Sequence, residues 1–456
     1  MLRAVFKQEL LDHIMSFRFS AITVLTILLM VLSALVFSSS YQRELMQYPT
    51  RVSTFVDEQG AVNLKMIACQ GGATVREIPS PLAFCSGSGE RELPNEAAMA
   101  VHGLSDVQRG AEPGDILSNG GSLDWAFVVA VLLSFGAGLL TYKSISGERR
   151  DGTLTLVLSN PVPRSTILAG RYLAALSALV VVFLFAVACG LIVLQSSGAL
   201  QLRGDDWFKV AFFVLLSIVY LSLFVMTGLL CSVFAKGPVL SAVAFVFVWT
   251  ALVFIVPNLS GLLAGELGSV RTPSQIHQTA GTIPDQYTLT AAMGADEVAA
   301  VKIRRETARE ALLLDYIQSL VQQVRFGENL TSLSPASVFS SAAERIVGGG
   351  TVRLMYFIGN AARYREGFYR AILDADKKDP RSEHRYVPWN CGGSHFSELT
   401  VDPGPAKEFH DVLPSSGEGL VASAWGFAQL ILYNLIAFAL AFWRFARQDV
   451  APTPGV

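Results

Sequence analysis

The chain has 456 residues, of which 52% are apolar and only 16% charged, and its net charge is −2. An average soluble protein carries roughly 25% charged residues, and the mean hydropathy of +0.44 also argues against a soluble multidomain protein. A near-neutral chain without a basic stripe is also a poor nucleic-acid binder.

The chain begins with a stretch in which Leu2, Val5, Phe6, Leu10, Ile14 and Phe17 recur at three- and four-residue spacing, with Arg3, Lys7 and Asp12 mostly between them. This pattern predicts an amphipathic helix over residues 1–18, lying in the membrane interface or packed on the protein itself. The apolar run that follows is longer than the 7–15 residues of a signal-peptide core, so it reads as a retained first span.

Six charge-free apolar blocks run from Phe19 to Ser39, Trp125 to Tyr142, Tyr172 to Leu194, Val210 to Phe234, Pro238 to Val256 and Leu420 to Trp443. Each is about the 20 residues that a helix needs to cross ~30 Å of hydrocarbon. Charged residues bracket them, and Trp125, Trp207, Trp249 and Trp443 lie in or beside them, mostly near an end, as interfacial anchors should. The fold class is therefore an α-helical polytopic membrane protein with six transmembrane helices.

Orientation follows from the short loops. With the N-terminus inside, the cytoplasmic pieces 1–18, 143–171, 235–237 and 444–456 hold 11 Lys and Arg in 63 residues. The short outer loop 195–209 holds Arg203 and Lys209. That asymmetry fits the positive-inside pattern of a multi-pass inner (plasma) membrane protein with both termini cytoplasmic. Residues 19–39 are then the first span and 125–256 carry spans two to five. The sixth span is 420–443, and the tail 444–456 is too short for a signalling domain.

The long segments 40–124 and 257–419 fall outside the cytoplasm as α+β insertions. The first is rich in turn residues, and its alternating pieces Arg51 to Val56 and Ala61 to Ile67 suggest strands. The second is mostly helical: Ala295 to Val324 and Val352 to Leu373 read as helices on either side of the breaker Gly348-Gly349-Gly350, and 374–418 reads as loop.

Cys189 and Cys231 lie in apolar blocks and read as small core residues. Cys69 and Cys85 lie in the first insertion, where an oxidising compartment allows a disulfide between them, leaving Cys391 over. His384, Cys391, His395 and Glu398 match no standard metal spacing and read as loop polarity, so no metal is assigned. The sequence has no Gly-x-x-x-x-Gly-Lys-Ser/Thr phosphate loop and no nucleophile–base constellation, so no catalytic or cofactor-binding residue is assigned. The span interiors hold no Asp, Glu, Lys, Arg or His. Proton-coupled carriers keep such groups as relays, so energy for any transport should enter from a soluble partner.

The most distinctive segment is the loop between spans two and three, from Gly147 to Ser165. Gly152 permits a sharp turn, Pro161 and Pro163 stop a helix, and Ser165 is placed to cap the next one. The loop reads equally as a protruding knob for a partner or as a solvated connection. Glu148, Gly152, Thr153, Leu154, Leu158, Ser159, Pro161, Val162 and Arg164 resemble the Glu-x-x-x-Gly-Thr-Leu…Leu-Ser-x-Pro-Val-x-Arg signature of ABC type-2 transporter permeases, with Val157 in place of the usual Leu. The six-span layout is similar to that family too. The branch is similar to permeases of nitrous-oxide-reductase maturation and gliding motility, and Leu333-Ser334-Pro335-Ala336, followed by Phe357 and Tyr364, resembles the insertion that one subset carries. The resemblance implies an exporter permease with a separate ABC ATPase, which holds the ATP and magnesium, docked on the Glu148–Arg164 loop. It also implies a second permease copy, as a homodimer or with a related chain. An extracytoplasmic partner moved by the machine without cargo crossing the membrane is the alternative function. An anchor or sensor is a further one. The span surfaces face lipid.

Overall fold

The computed structural model describes residues 2–51, 62–63, 73–87, 93–110, 123–155, 163–198, 200–259, 273–286, 290, 292–384, 397, 399–401 and 408–447. Six helices in it are long and apolar enough to cross a bilayer. The amino-terminal helix α1 (Leu2–Ile14) leads into span 1, α2 (Phe17–Arg51). Span 2, α3, covers 125–141 and is followed by the single-turn helix α4 (Ser146–Arg150). Spans 3 and 4 are α5 (Arg164–Ser196) and α6 (Gly204–Phe234). Span 5, α7, is Pro238–Leu259, and span 6, α12, is Ser416–Ala446. Between α7 and α12 come α8 (Pro273–Gln286), α9 (Ala295–Thr331), α10 (Pro335–Val347) and α11 (Gly350–Asp376).

The helix of span 1 runs on well past Ser39, to Arg51, so the first insertion begins on a helical overhang. Strands do occur in this insertion, but mostly not where alternation suggested. Thr74–Arg76 (β2), Glu96–Ala100 (β3) and Gly103–Gln108 (β4) form an antiparallel sheet in the order β2-β3-β4, and Val62–Asn63 (β1) pairs with Thr400–Val401 (β5). Residues 52–61 lie outside the described residues. The sheet's buried side, with Val75, Ala97, Met99 and Leu104, packs with α9 and α11 into one apolar core. The two insertions are therefore a single folded unit.

Arg353 stitches this unit together. Its side chain is wholly buried and pairs with Glu77 and Asp411, while Asn360 donates to the same Asp411 carboxylate at 2.7 Å. Three separated segments thus share one guanidinium. Tyr48, on the overhang of span 1, donates to the Arg76 carbonyl at 3.2 Å.

One element of 257–419 packs on the bundle of spans rather than with the rest of the insertion. Helix α10 buries Val338, Phe339, Ala342, Ala343, Ile346 and Val347 against α6 and α12. It runs down α12 from Gly419, where a Cβ would sit 2.8 Å from the Arg345 carbonyl oxygen, to Tyr433, whose hydroxyl donates to the Ser332 carbonyl at 2.5 Å. From Gly419 to Tyr433 is about 21 Å at 1.5 Å per residue, so the corner before α10 reaches roughly the middle of the hydrocarbon layer. Leu333, at that corner, is 69% exposed.

The spans approach closely through small residues, as membrane helices do: Gly136 receives Ile22, Gly138 lies under the ring of Phe245, and Gly228 faces Thr141. The Trp125 indole is wholly buried and donates to the Met30 carbonyl at 3.3 Å, and Trp249 donates to Ser134 Oγ at 2.9 Å. These two tryptophans are internal struts, unlike Trp207 and Trp443, which are exposed. Cys85 is a buried free thiol in the cluster around Phe84 and Trp125, not one end of the disulfide expected with Cys69. It is packed away on the bundle, and Cys69 lies outside the described residues.

Two outcomes are expected. Gly419→Ala sets a methyl against backbone that has no rotamer to move to. Overpacking of this kind costs about 1–3 kcal/mol and should lower the thermal midpoint of the purified protein by several degrees. Burial pushes the Glu77 carboxyl up to about 7 against the pull of Arg353, with Asp411 adding to the rise and Arg109 opposing it. A carboxyl raised in the fold gives stability that is fully present below about pH 4.5 and lost as pH rises through about 7. A pH series of thermal midpoints should therefore fall between pH 5 and 7, and Glu77→Gln should flatten it.

Candidate functional site

The signature loop is built on the membrane face that carries α1. Span 2 stops at Thr141, and the chain turns at Tyr142–Ile145. The Ser232 hydroxyl at the end of span 4 accepts from the Ile145 and Ser146 amides, both at 2.9 Å, and Ser241 donates to the Tyr142 carbonyl at 2.6 Å. The amides and the carbonyl freed by the break are thus served by neighbouring spans. Helix α4 follows and ends at Arg150, and just beyond it Gly152 has a left-handed φ of +74° with open space around it. Leu154, two residues on, is buried in the bundle core. Arg150, Asp151, Gly152 and Thr153 form an exposed tip between these anchors.

Two charged signature residues point inward. Glu148 pairs with Arg171 of α5, and Arg171 also pairs with Glu9 of α1 at 3.0 Å and donates to the Ser144 carbonyl at 2.8 Å. Its side chain is only 3% exposed. One guanidinium therefore holds three elements: the amino-terminal helix, the loop helix and span 3. Arg164 donates to the Phe445 and Ala446 carbonyls, both at 2.8 Å, filling acceptors at the end of α12 where a cation is favoured. Arg149 likewise donates to the Ala235 carbonyl at 2.7 Å, at the turn between spans 4 and 5. Helix α5 starts at Arg164 with Pro163 at its N-cap position, and no side chain caps it. Ser165 therefore lies within the first turn rather than capping it, because Pro163 already sets the non-helical backbone there. Leu158, Ser159, Pro161 and Val162 lie outside the described residues.

Helix α1 meets span 3 through Val5 and Leu2, which crowd Gly170, and through Glu9 one turn further on. Leu11, Ile14 and Met15 stay exposed. Its apolar residues are thus divided between the protein and the outside, which joins the two readings of its sequence. Burial raises the Glu9 carboxyl, Arg171 opposes that rise, and Glu148 adds to it.

Sequence reasoning missed Arg171, Glu9 and Arg149 as members of this site. The available signal was Arg171 itself, a lone cation beside Gly170 at the head of an apolar run. Among the described residues no group of His, Cys, Asp and Glu could hold a metal ion. His384 pairs with Asp376 at 3.0 Å, and Cys391, His395 and Glu398 lie outside the described residues.

Six candidate spans, small-residue packing and a loop helix clamped to both the amino-terminal helix and a span define a multi-pass membrane protein. The family model described as ABC-2 family transporter protein matches residues 3–450, and the chain belongs to that family. No curated protein matches it.

Arg171→Met would leave Glu9 and Glu148 facing each other without their shared cation. Breaking such a buried pair costs about 3–5 kcal/mol, and the thermal midpoint should drop sharply. Glu9→Gln with Glu148→Gln in the same chain should recover most of the loss, because the repulsion is then gone.

Proposed function

We propose that this chain is the membrane half of an ATP-driven exporter, with the α1 face cytoplasmic and a separate ABC ATPase seated on the tip Arg150–Thr153 and on α1. The observation that carries this reading is the Arg171 clamp. A push on the tip passes through Glu148 to Arg171, and from there to span 3 and, through Glu9, to α1. Arg164 ties the far end of the loop to span 6. An exposed tip on three braces is a lever. Hinge and shear motions of packed helices are the usual output of such a push. The excess of Lys and Arg on this face supports its cytoplasmic placement, and membership of the family supports an ABC ATPase as partner. ATP and magnesium would be held by that partner. A second permease copy, identical or related, completes the assembly in the inner (plasma) membrane.

The position of α10 favours a second reading, in which the same stroke is delivered to an extracytoplasmic protein and no cargo crosses. Helix α10 is continuous with the insertion and packed on spans 4 and 6, so movement of those spans is passed to the insertion.

Detergent-solubilised complex should retain an ATPase that carries a phosphate loop. Gly152→Pro should cut its ATP-driven turnover at least tenfold while leaving the protein monodisperse, because proline cannot adopt the positive φ at this exposed turn. Recovery of no ATPase, together with unchanged function in Gly152→Pro and Glu148→Ala, would sink the proposal. Transport into inverted vesicles, set beside cross-linking to extracytoplasmic proteins, separates the two readings.

A further inference from the structure

Span 5 contains Pro257, and proline has no N–H to give. In an α-helix the amide of residue 257 would serve the Val253 carbonyl; in the wider π register it would serve Leu252. Neither bond can form. The helix answers with a π segment, Ala251–Ile255, in which the Val256 amide donates to the Ala251 carbonyl. In an α-helix that amide would have gone to Leu252. The Leu252 carbonyl has therefore lost both its α and its π partner in its own helix, in the second half of an apolar span.

Its donor comes from the insertion. Ser334, wholly buried, donates its hydroxyl to the Leu252 carbonyl at 2.5 Å while its oxygen accepts from the Ser337 amide at the start of α10. The preceding turn is fixed to span 6, where Tyr433 and Gln429 donate to the Ser332 carbonyl at 2.5 and 3.3 Å. Phe339 of α10 stacks on Tyr220 of span 4 at 4.5 Å, and the Tyr220 hydroxyl donates to the Ala130 carbonyl at 3.0 Å. Ala130 lies in the π segment Val128–Leu133 of span 2, where the Ser134 amide donates to the Val129 and Val131 carbonyls. The Ala130 carbonyl thus accepts both the Ser134 hydroxyl of its own helix and the Tyr220 hydroxyl of span 4, so a carbonyl in each π segment is bonded by a hydroxyl from another element. π segments mark sites of functional distortion in helices.

We propose that Ser334 is a positioning residue for transport: its hydroxyl stands in for the amide that Pro257 lacks and clamps the far half of span 5 to α10. The inference rests on the reading of this chain as a permease. An unserved carbonyl is costly inside a bilayer. Span 5 therefore leaves α10 only when water or a polar group on the cargo takes over the Leu252 carbonyl. Opening toward the insertion side and wetting of that point are one event. The clamped arrangement is the one described above, and the open one is hydrated.

Hydrogen–deuterium exchange of the full chain in nanodiscs tests this at the peptide covering 251–259. Ser334→Ala should speed exchange there about tenfold, the scale of one lost clamp on local opening, and Ser334→Thr should restore it. Pro257→Ala returns an amide to span 5, so it should slow exchange by itself and abolish the effect of Ser334→Ala. That suppression separates the clamp from the loss of the α10 cap, which Pro257→Ala cannot repair. Equal effects of Ser334→Ala with and without Pro257→Ala, or no effect of either substitution, would overturn the assignment. In the complex with its ATPase, trapping with ATP and orthovanadate should raise exchange at 251–259 in the unmodified chain; no change there would make the bond a static staple and refute the role in opening. The substitution arms need no ATPase, so they report on the clamp even where the proposed partnership fails.

Discussion

A bilayer offers no water to a backbone amide or carbonyl that its own helix leaves unserved. Most of the polar contacts that shape this protein answer that constraint. Where span 2 ends, a serine of span 4 receives the two amides set free. Where span 6 ends, Arg164 arrives from another helix to take the last carbonyls. Where Pro257 breaks the ladder of span 5, a serine arrives from the insertion. Each repair comes from a different element, so each also joins two parts of the chain.

The same economy governs the few buried charges. Arg171 serves two carboxylates at one face and Arg353 serves two at the other. A single cation between two anions leaves an excess negative charge in a partly desolvated place, and burial accordingly lifts Glu9 and Glu77. Neither arrangement maximises stability. Both make the meeting of three segments depend on one side chain, which suits places where motion is to be passed on rather than absorbed.

The spans were legible in the sequence because length and the absence of charge suffice to mark them, and helices α9 and α11 were legible as helical stretches. Most of the strands were not, because alternation at 51–56 and 61–67 carries no information about which segment finds a partner, and β2 is only three residues long while β3 is Ala-rich. Helix α10 was hidden for a different reason. Its sequence, with Ser337, Ser340, Ser341, Glu344 and Arg345 among its apolar residues, resembles a surface helix, and only tertiary packing shows that its apolar side faces spans and not a soluble core. In the loop, residue types pointed correctly to a special segment, but not to direction. Glu148 and Arg164 look like docking charges on paper and are inward braces in the fold, whereas the exposed tip is made of the less distinctive Arg150 to Thr153.

With the α1 face cytoplasmic, as proposed above, the seating of α10 among the spans also implies an order of assembly. This stretch lies between spans 5 and 6 and is too polar to be retained as a span of its own during synthesis, so it must first cross the membrane completely with the rest of the insertion. It then returns into the bilayer from the far side, after spans 4 and 6 have met to form its seat. Biogenesis therefore ends with a folding step on the opposite side from the ribosome, and until that step is complete the carbonyl of Leu252 and the ring of Tyr220 lack the partners they have in the finished protein.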